Sequence, residues 1–471
     1  MKFLANKNSL YPALQVVINS FLLFFFYGLL HKNFGMDGVG KWGYIMSALS
    51  FTKIAELGLG AAMIRFVAKY NSMGERRSIV SLVQTALYSI SFILLLLSFT
   101  LYRQSEKILT LIKMPIDPEI LTVFLVAIPS FALMVISMIL IGVLDGLSLN
   151  YKRSIVSVFG QCSFLLLTYF LIEGYGLVGA AYAQLVQYML VVAALYFIFI
   201  CHLKVKPAEL MHFSFEALSE IKAVFLKLNL SLLIAMIFEP VIKFMLNLFG
   251  GMNSVGIYEL SNKVVMFSRN IVIESQKFYT AKFATSINSS DLLQISYRNS
   301  LIFGCLSMVG LIVLMPVIFP MWLGSFEYKL FIYTAILGSG WLINIFAAPV
   351  FFRILGSGDV MKNVFFQAQL LILSIISCSI LGSIFGDIAF IIGLSFAIGF
   401  TSYYYIISEK ENIGKLIPDD LRSIFIFNAF FLVSFSVAVL GRLESTYLIF
   451  WSIIGLLFLV VTMKKYLQEV V

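Results

Sequence analysis

Long apolar runs, broken by short polar stretches, recur along the whole chain. They occupy 10–31, 42–67, 79–101, 119–144, 154–173, 177–201, 223–248, 255–281, 299–319, 329–352, 363–385, 387–407, 424–440 and 446–463. Each is near the about 20 residues that a helix needs to cross the ~30 Å hydrocarbon core of a bilayer. The pattern predicts about fourteen transmembrane helices in an all-α polytopic membrane protein. The first run follows Lys2 and Lys7 and is too long for the apolar region of a signal peptide, so it reads as the first span. The longest breaks, 202–222 and 408–422, are too short for a soluble domain. Any function must lie within the helical bundle.

The runs also repeat. Trp42-Gly43, opening the second run, matches Val255-Gly256, opening the eighth. Counting on from each reaches Ala68-Lys69-Tyr70 and Ala281-Lys282-Phe283. Gly146, Lys152 and Tyr175-Gly176 match Gly356, Lys362 and Phe385-Gly386 at a constant offset of 210. This predicts two pseudo-symmetric six-helix lobes plus two C-terminal helices. The expected division is 1–201 as the N-terminal lobe, 202–222 as a cytoplasmic linker, 223–407 as the C-terminal lobe and 408–471 as a loop with helices 13 and 14. Parallel repeats of this kind place a substrate site between the halves. Gly142-x-x-x-Gly146 and Gly382-x-x-x-Gly386 predict close helix packing.

Composition excludes the soluble classes. The chain is 61% hydrophobic and 12% charged, with mean hydropathy +0.98. Ordinary soluble domains are about 45–50% apolar and about 25% charged. The net charge of +9 follows the spans. With the N-terminus in the cytoplasm, nineteen Lys and Arg fall in cytoplasmic tails and connections. Seven fall outside: Lys32, Lys41, Arg103, Lys107, Lys113, Lys329 and Arg442. The split places both termini in the cytoplasm. The positive charge therefore gives no ground for a nucleic-acid partner. Gly38-Val39-Gly40-Lys41-Trp42-Gly43 fits the spacing G-x-G-x-x-G, but transmembrane runs replace the βαβ unit that a nucleotide site needs. Cys162, Cys201, Cys305 and Cys378 and the three histidines have no metal spacing, and no cofactor is expected.

Charge inside the spans carries the chemistry. Span two holds Lys53, Glu56 and Arg65. Span seven holds Lys227, Glu239 and Lys243. Span eight holds Glu259, Lys263, Arg269, Glu274 and Lys277. Each costs roughly 2.5–3.5 kcal/mol if it faces lipid at the bilayer centre. They must face water or one another, or lie near a membrane surface, and structural ion pairs and snorkelling ends are the plainer alternative. On a helix, Glu259, Lys263, Asn270, Glu274 and Lys277 fall within roughly 60°. Pro240 should kink span seven. Seven bases against four acids favour an anion such as phosphate or pyrophosphate. The candidate cationic residues are Lys53, Arg65, Lys243, Lys263, Arg269 and Lys277. The polar or coupling candidates are Gln15, Asn19, Glu56, Glu239, Glu259, Asn270 and Glu274.

Trp42-Gly43, Glu56-Leu57-Gly58-Leu59-Gly60 and Arg65, with Gly256-Ile257-Tyr258 and Tyr175-Gly176-Leu177-Val178-Gly179-Ala180-Ala181, resemble the Wzx-type polysaccharide flippases. These belong to the multidrug/oligosaccharidyl-lipid/polysaccharide exporter (MOP) superfamily. The resemblance implies a two-lobed bundle working by alternating access. It also implies a polyprenyl-pyrophosphate-linked oligosaccharide moved to the outer leaflet for O-antigen, capsule or similar polysaccharide. A polysaccharide polymerase and a chain-length regulator would be its partners, along with membrane lipids. Span one has no charge, unlike the arginine-bearing first helix of lipid II flippases. The alternative function is a cation-coupled multidrug or small-molecule antiporter. A membrane enzyme is not expected, because the largest outer connection, 102–118, has only Glu106 and Asp117 as acids.

Overall fold

The structure is a computed structural model that describes residues 7–49, 59–209, 213–285, 289–325, 327–357 and 360–408. The expected spans 424–440 and 446–463 lie outside the described residues, as do Lys53 and Glu56. The helices are α1 (Lys7–Leu49), α2 (Leu59–Ser72), α3 (Arg76–Arg103), α4 (Ser105–Leu111), α5 (Pro118–Gly146) and α6 (Asn150–Leu203). They continue with α7 (Phe215–Thr285), α8 (Ser289–Leu323), α9 (Tyr328–Ser357), α10 (Val360–Phe385) and α11 (Asp387–Ser408). No strand occurs among the described residues. Local chemistry sets some of these bounds. Asp117 caps α5 by accepting from the Ile120 N–H at 2.7 Å, and Pro118 follows at the first helical position.

Eight helices among the described residues are long and apolar enough to cross a membrane. Two of these, Leu14–Leu49 and Asn150–Leu203, each contain two helical runs. Gly35 (φ 65°, ψ −166°) divides α1, Gly176 (φ 61°, ψ −143°) divides α6, and Gly251 (φ 70°, ψ −178°) divides α7. Only glycine enters this backbone region without strain. The polar stretch 32–41 is therefore a hinge between helices, where a loop was expected. Lys41 and Asp37 pair at 2.9 Å across one helical turn and support the second run.

The hinges also correct the repeat. Gly35-Met36-Asp37-Gly38-Val39-Gly40 aligns with Gly251-Met252-Asn253-Ser254-Val255-Gly256 at an offset of 216. The match of Trp42-Gly43 to Val255-Gly256, at 213, is three residues out of this register. The offset of 210 is shared by Gly176 and Gly386, both at positive φ.

The chain divides into two compact units. Unit 1 is Met1–Asn33 with Tyr44–Pro240, and unit 2 is Phe34–Gly43 with Val241–Val471. In unit 1, α5 packs against α6 and α2 around Val80, Val83, Ile139, Val143, Leu195 and Phe199. The Gly142-x-x-x-Gly146 spacing serves this packing. A Cβ at Gly142 would lie 2.6 Å from the Gly60 carbonyl oxygen, and one at Gly146 would lie 2.8 Å from Val67 Cβ.

Past the end of α6 the chain turns back along α3. Arg76 donates from Nε to the Leu203 carbonyl and from Nη2 to the Lys204 carbonyl at 2.8 Å, and grips Glu209 with both Nη groups. The Lys206 N–H also donates to Glu209, and the Ser214 N–H donates to Thr85 Oγ1 at 3.0 Å. The Arg76 guanidinium, helped by Lys206, lowers the Glu209 carboxyl from 4.5 to about 2. A depressed carboxyl stabilises the fold above its unfolded value, and loses that effect as pH falls through its folded value. The clasp should thus stay intact from neutral pH down through 4.5 and open only towards about 2. Amide protection at Lys206 and Ser214 should hold between pH 8 and 5 in the native chain and fall throughout that range in Glu209→Gln. Equal protection in both would show that the ion pair does not hold this segment.

Candidate functional site

In unit 2, three of the intramembrane charges of α7, Lys243, Glu259 and Lys263, lie beside a close helix crossing. The second run of α1 meets the second run of α7 at Gly40 and Gly256. A Cβ on Gly40 would lie 2.0 Å from the Met252 carbonyl oxygen, and one on Gly256 would lie 1.8 Å from the Met36 carbonyl oxygen. Neither position can carry a side chain in this arrangement. The contact is symmetric in the 216 register, each glycine meeting the carbonyl just after the other run's hinge.

One turn further along lies a buried ion pair. Lys243 and Glu259 are each eight residues from Gly251, on opposite sides, so each lies about 12 Å along its run from the hinge. Their Nζ and Oε2 atoms are 2.6 Å apart, and both side chains are 2% exposed. Lys243 Nζ also donates to the Gly43 carbonyl at 3.0 Å. A Cβ at Gly43 would lie 2.8 Å from Glu259 Cδ, so this glycine makes room for the carboxylate. Lys263 Nζ lies 3.3 Å from Glu259 Oε1 and is one-third exposed. The carboxylate is thus shared by two ammonium groups.

Arg269 stands on α7 eighteen residues past the hinge, about 27 Å along the run. Its guanidinium lies over the Trp341 ring, 4.9 Å from the centroid. Its Nε donates to Asn344 Oδ1 at 3.0 Å, and Asn344 Nδ2 donates to Ser402 Oγ at 3.0 Å. Three helices, α7, α9 and α11, thus fix one guanidinium. Among the described residues Arg269 has no carboxylate partner, and its Nη groups have no protein acceptor. Planar, bidentate guanidinium donors suit phosphate oxygens.

At the start of α11, Asp387 Oδ2 accepts from Ser254 Oγ at 2.6 Å, Tyr333 OH at 2.7 Å and Lys329 Nζ at 3.1 Å. This cluster ties the starts of α9 and α11 to the second run of α7. The sequence reading missed it, because Lys329 and Asp387 sit at polar breaks where charge is ordinary.

The other candidates are dispersed. Arg65 on α2 and Asn270 on α7 are exposed, and Glu239 is half-buried just before Pro240. Glu274 and Lys277 lie on α7, but their side chains are outside the described residues, as is that of Lys227. In unit 1, Gln15 Nε2 and Asn19 Nδ2 both donate to Ser157 Oγ, at 3.0 and 3.1 Å. Gln187 Nε2 donates to Gln161 Oε1 at 3.1 Å. Among the described residues no group of three His, Cys, Asp or Glu could hold a metal ion.

No family model and no curated protein matches the chain. Solved structures do. The lipid II flippase MurJ in an inward closed conformation matches with a TM-score of 0.72 and 15% identity, over 98% of each chain. An inward-facing multidrug resistance MATE family transporter of the MOP superfamily matches at 0.69 and 16%, over 85% of this chain and 94% of that one. A MOP superfamily transporter from Pyrococcus furiosus, whose binding pocket is described as reversed in polarity, matches at 0.61 and 15%, over 85% and 95%. The fold matches that of these MOP superfamily transporters, with eight helices among the described residues long and apolar enough to cross a membrane.

Proposed function

We propose that the chain carries a polyprenyl-pyrophosphate-linked oligosaccharide from the cytoplasmic to the outer leaflet by alternating access. The product would feed surface polysaccharide assembly, with a polymerase and a chain-length regulator acting next. Arg269 carries this reading. It is a guanidinium deep in a bundle, fixed by an aromatic face and an amide, with its Nη groups open to an anion. Among the described residues no carboxylate opposes it, and an ionisable residue within a span is by default a functional-site hypothesis. Lys263, one-third exposed, adds a second positive group along α7. Lys243 takes a different role from the one the sequence suggested. Buried against Glu259 and Gly43, it would hold the glycine crossing shut in one state of the cycle, a role supported by its contacts at that crossing.

A cation-coupled antiporter is the second reading. Flippase and multidrug transporter folds both match, at TM-scores of 0.72 and 0.69, so the choice rests on charge. Glu259 is the buried carboxylate such a protein would titrate, but two lysines already neutralise it.

The test is polysaccharide export in cells that depend on this chain. A hydrogen bond to a charged group contributes about 1.5–3 kcal/mol, or roughly 10–150-fold. Arg269→Ala should therefore lower export at least about tenfold at unchanged protein abundance, with Arg269→Lys retaining part of it. Lys263→Ala and Lys53→Ala should lower it less. Full export by Arg269→Ala would overturn the anion-binding role.

A further inference from the structure

We infer that unit 1 carries a subsite for the neutral sugar hydroxyls of the substrate, built from Gln15, Asn19 and Ser157. It rests on the flippase reading and names where the glycan is held. Gln15 and Asn19 lie one turn apart on α1, and both donate to the single Ser157 hydroxyl on α6. Their own carbonyl oxygens, Gln15 Oε1 and Asn19 Oδ1, are buried and have no hydrogen-bond partner among the described residues.

Turning the amides over does not relieve this. Two carbonyl oxygens would then face one serine hydroxyl, which has one proton to give. At least one acceptor stays unmet in any arrangement, and two NH2 groups would lose their acceptor. Inside a bilayer no bulk water stands by to satisfy such groups. A ligand that donates hydrogen bonds does satisfy them.

The chemistry of that ligand follows from what surrounds the amides. The three side chains are uncharged, so they offer no counter-charge to an ammonium group or a phosphate. Hydroxyl groups fit, since each both donates and accepts. Tyr11 and Tyr151 lie one turn and about two turns before these positions, with their rings edge-on and their centroids 6.3 Å apart. Gln15 and Ser157 also share a level, about 12 Å and about 10 Å from the starts of α1 and α6. The positive-inside split places both starts on the cytoplasmic side, where the loaded substrate would enter.

The test uses the full chain in detergent and two probes. One is the polyprenyl-pyrophosphate-linked oligosaccharide pool extracted from cells expressing the chain. The other is polyprenyl pyrophosphate without sugar. The native chain should bind the glycan-bearing pool about tenfold more tightly, a gain of the size that two or three neutral hydrogen bonds give. The double variant Gln15→Leu with Asn19→Leu should lose that gain and bind the bare lipid as the native chain does. Ser157→Ala should lose part of it. A native chain that binds both probes equally, or variants that keep the gain, would overturn the subsite while leaving the flippase reading intact. Variants that lose both probes together would mark a structural role instead. If sodium ions alone tighten the native chain and the variants abolish this, the site is a cation site. If the native chain binds neither probe, the flippase reading fails and the subsite with it.

Discussion

Glu259→Gln should be the most destabilising single change among the intramembrane charges. Removing one partner of a fully buried pair leaves an uncompensated charge, which typically costs about 3–5 kcal/mol. Lys243 is 2% exposed, and its Nζ is held by Glu259 and the Gly43 carbonyl, so removing the carboxylate takes a close charged partner from a buried ammonium group. Lys243→Met should cost less, because Glu259 keeps Lys263. The double variant Lys243→Met with Glu259→Gln should recover most of the loss, since replacing a buried pair by uncharged residues is often neutral. Thermal unfolding of the purified chain in detergent checks this. A loss in the double variant equal to the sum of the two single losses would show that the two charges are not coupled.

Gly256→Leu should sharply lower transport even where the protein accumulates normally. Its Cβ would fall 1.8 Å from the Met36 carbonyl oxygen, and backbone cannot yield as a side-chain tip does. Gly40→Ala, with its Cβ 2.0 Å from the Met252 carbonyl oxygen, should act in the same direction. Overpacking of about 1–3 kcal/mol shifts a two-state equilibrium roughly 5–150-fold, here away from the closed crossing. Gly310→Ala is the control, because nothing lies within 4 Å of its Cβ, and alanine is the better helix former by about 1 kcal/mol. Export should fall at least about fivefold in both crossing variants and stay near the native level in the control. Normal export by Gly256→Leu would mean that the crossing plays no part in the cycle.

Much of the fold was legible because a membrane span must be long and apolar, and that constraint writes itself into composition. The glycine hinges were less legible. A polar stretch such as 32–41 reads equally well as a loop or as a helix corner, and only the positive φ of Gly35 decides. The six-residue repeat from Gly35 to Gly40 and from Gly251 to Gly256 was present in the sequence, but its register became clear from the shared hinge. Lys243, Glu259, Lys263 and Arg269 stood out because charge within a span is rare. Their neutral partners did not. Asn344, Trp341, Ser402 and Ser157 are residue types that spans tolerate cheaply, so their placement against Arg269 or the α1 amides leaves no trace in spacing. The pairing of Lys243 with Glu259 spans a hinge between two helical runs, which one-helix periodicity cannot reveal.

The central claim is that Arg269 anchors the pyrophosphate of a lipid-linked oligosaccharide during its transfer between leaflets. Its most direct test is transfer by the purified chain in proteoliposomes. The probe is the polyprenyl-pyrophosphate-linked oligosaccharide pool from cells expressing the chain, read by exposure of its sugars to periodate outside the vesicle. The native chain should expose the protected inner fraction, and Arg269→Ala should do so at least about tenfold more slowly. A native chain that exchanges a cationic dye for protons or sodium, and leaves the lipid-linked oligosaccharide on the leaflet where it began, would contradict that claim.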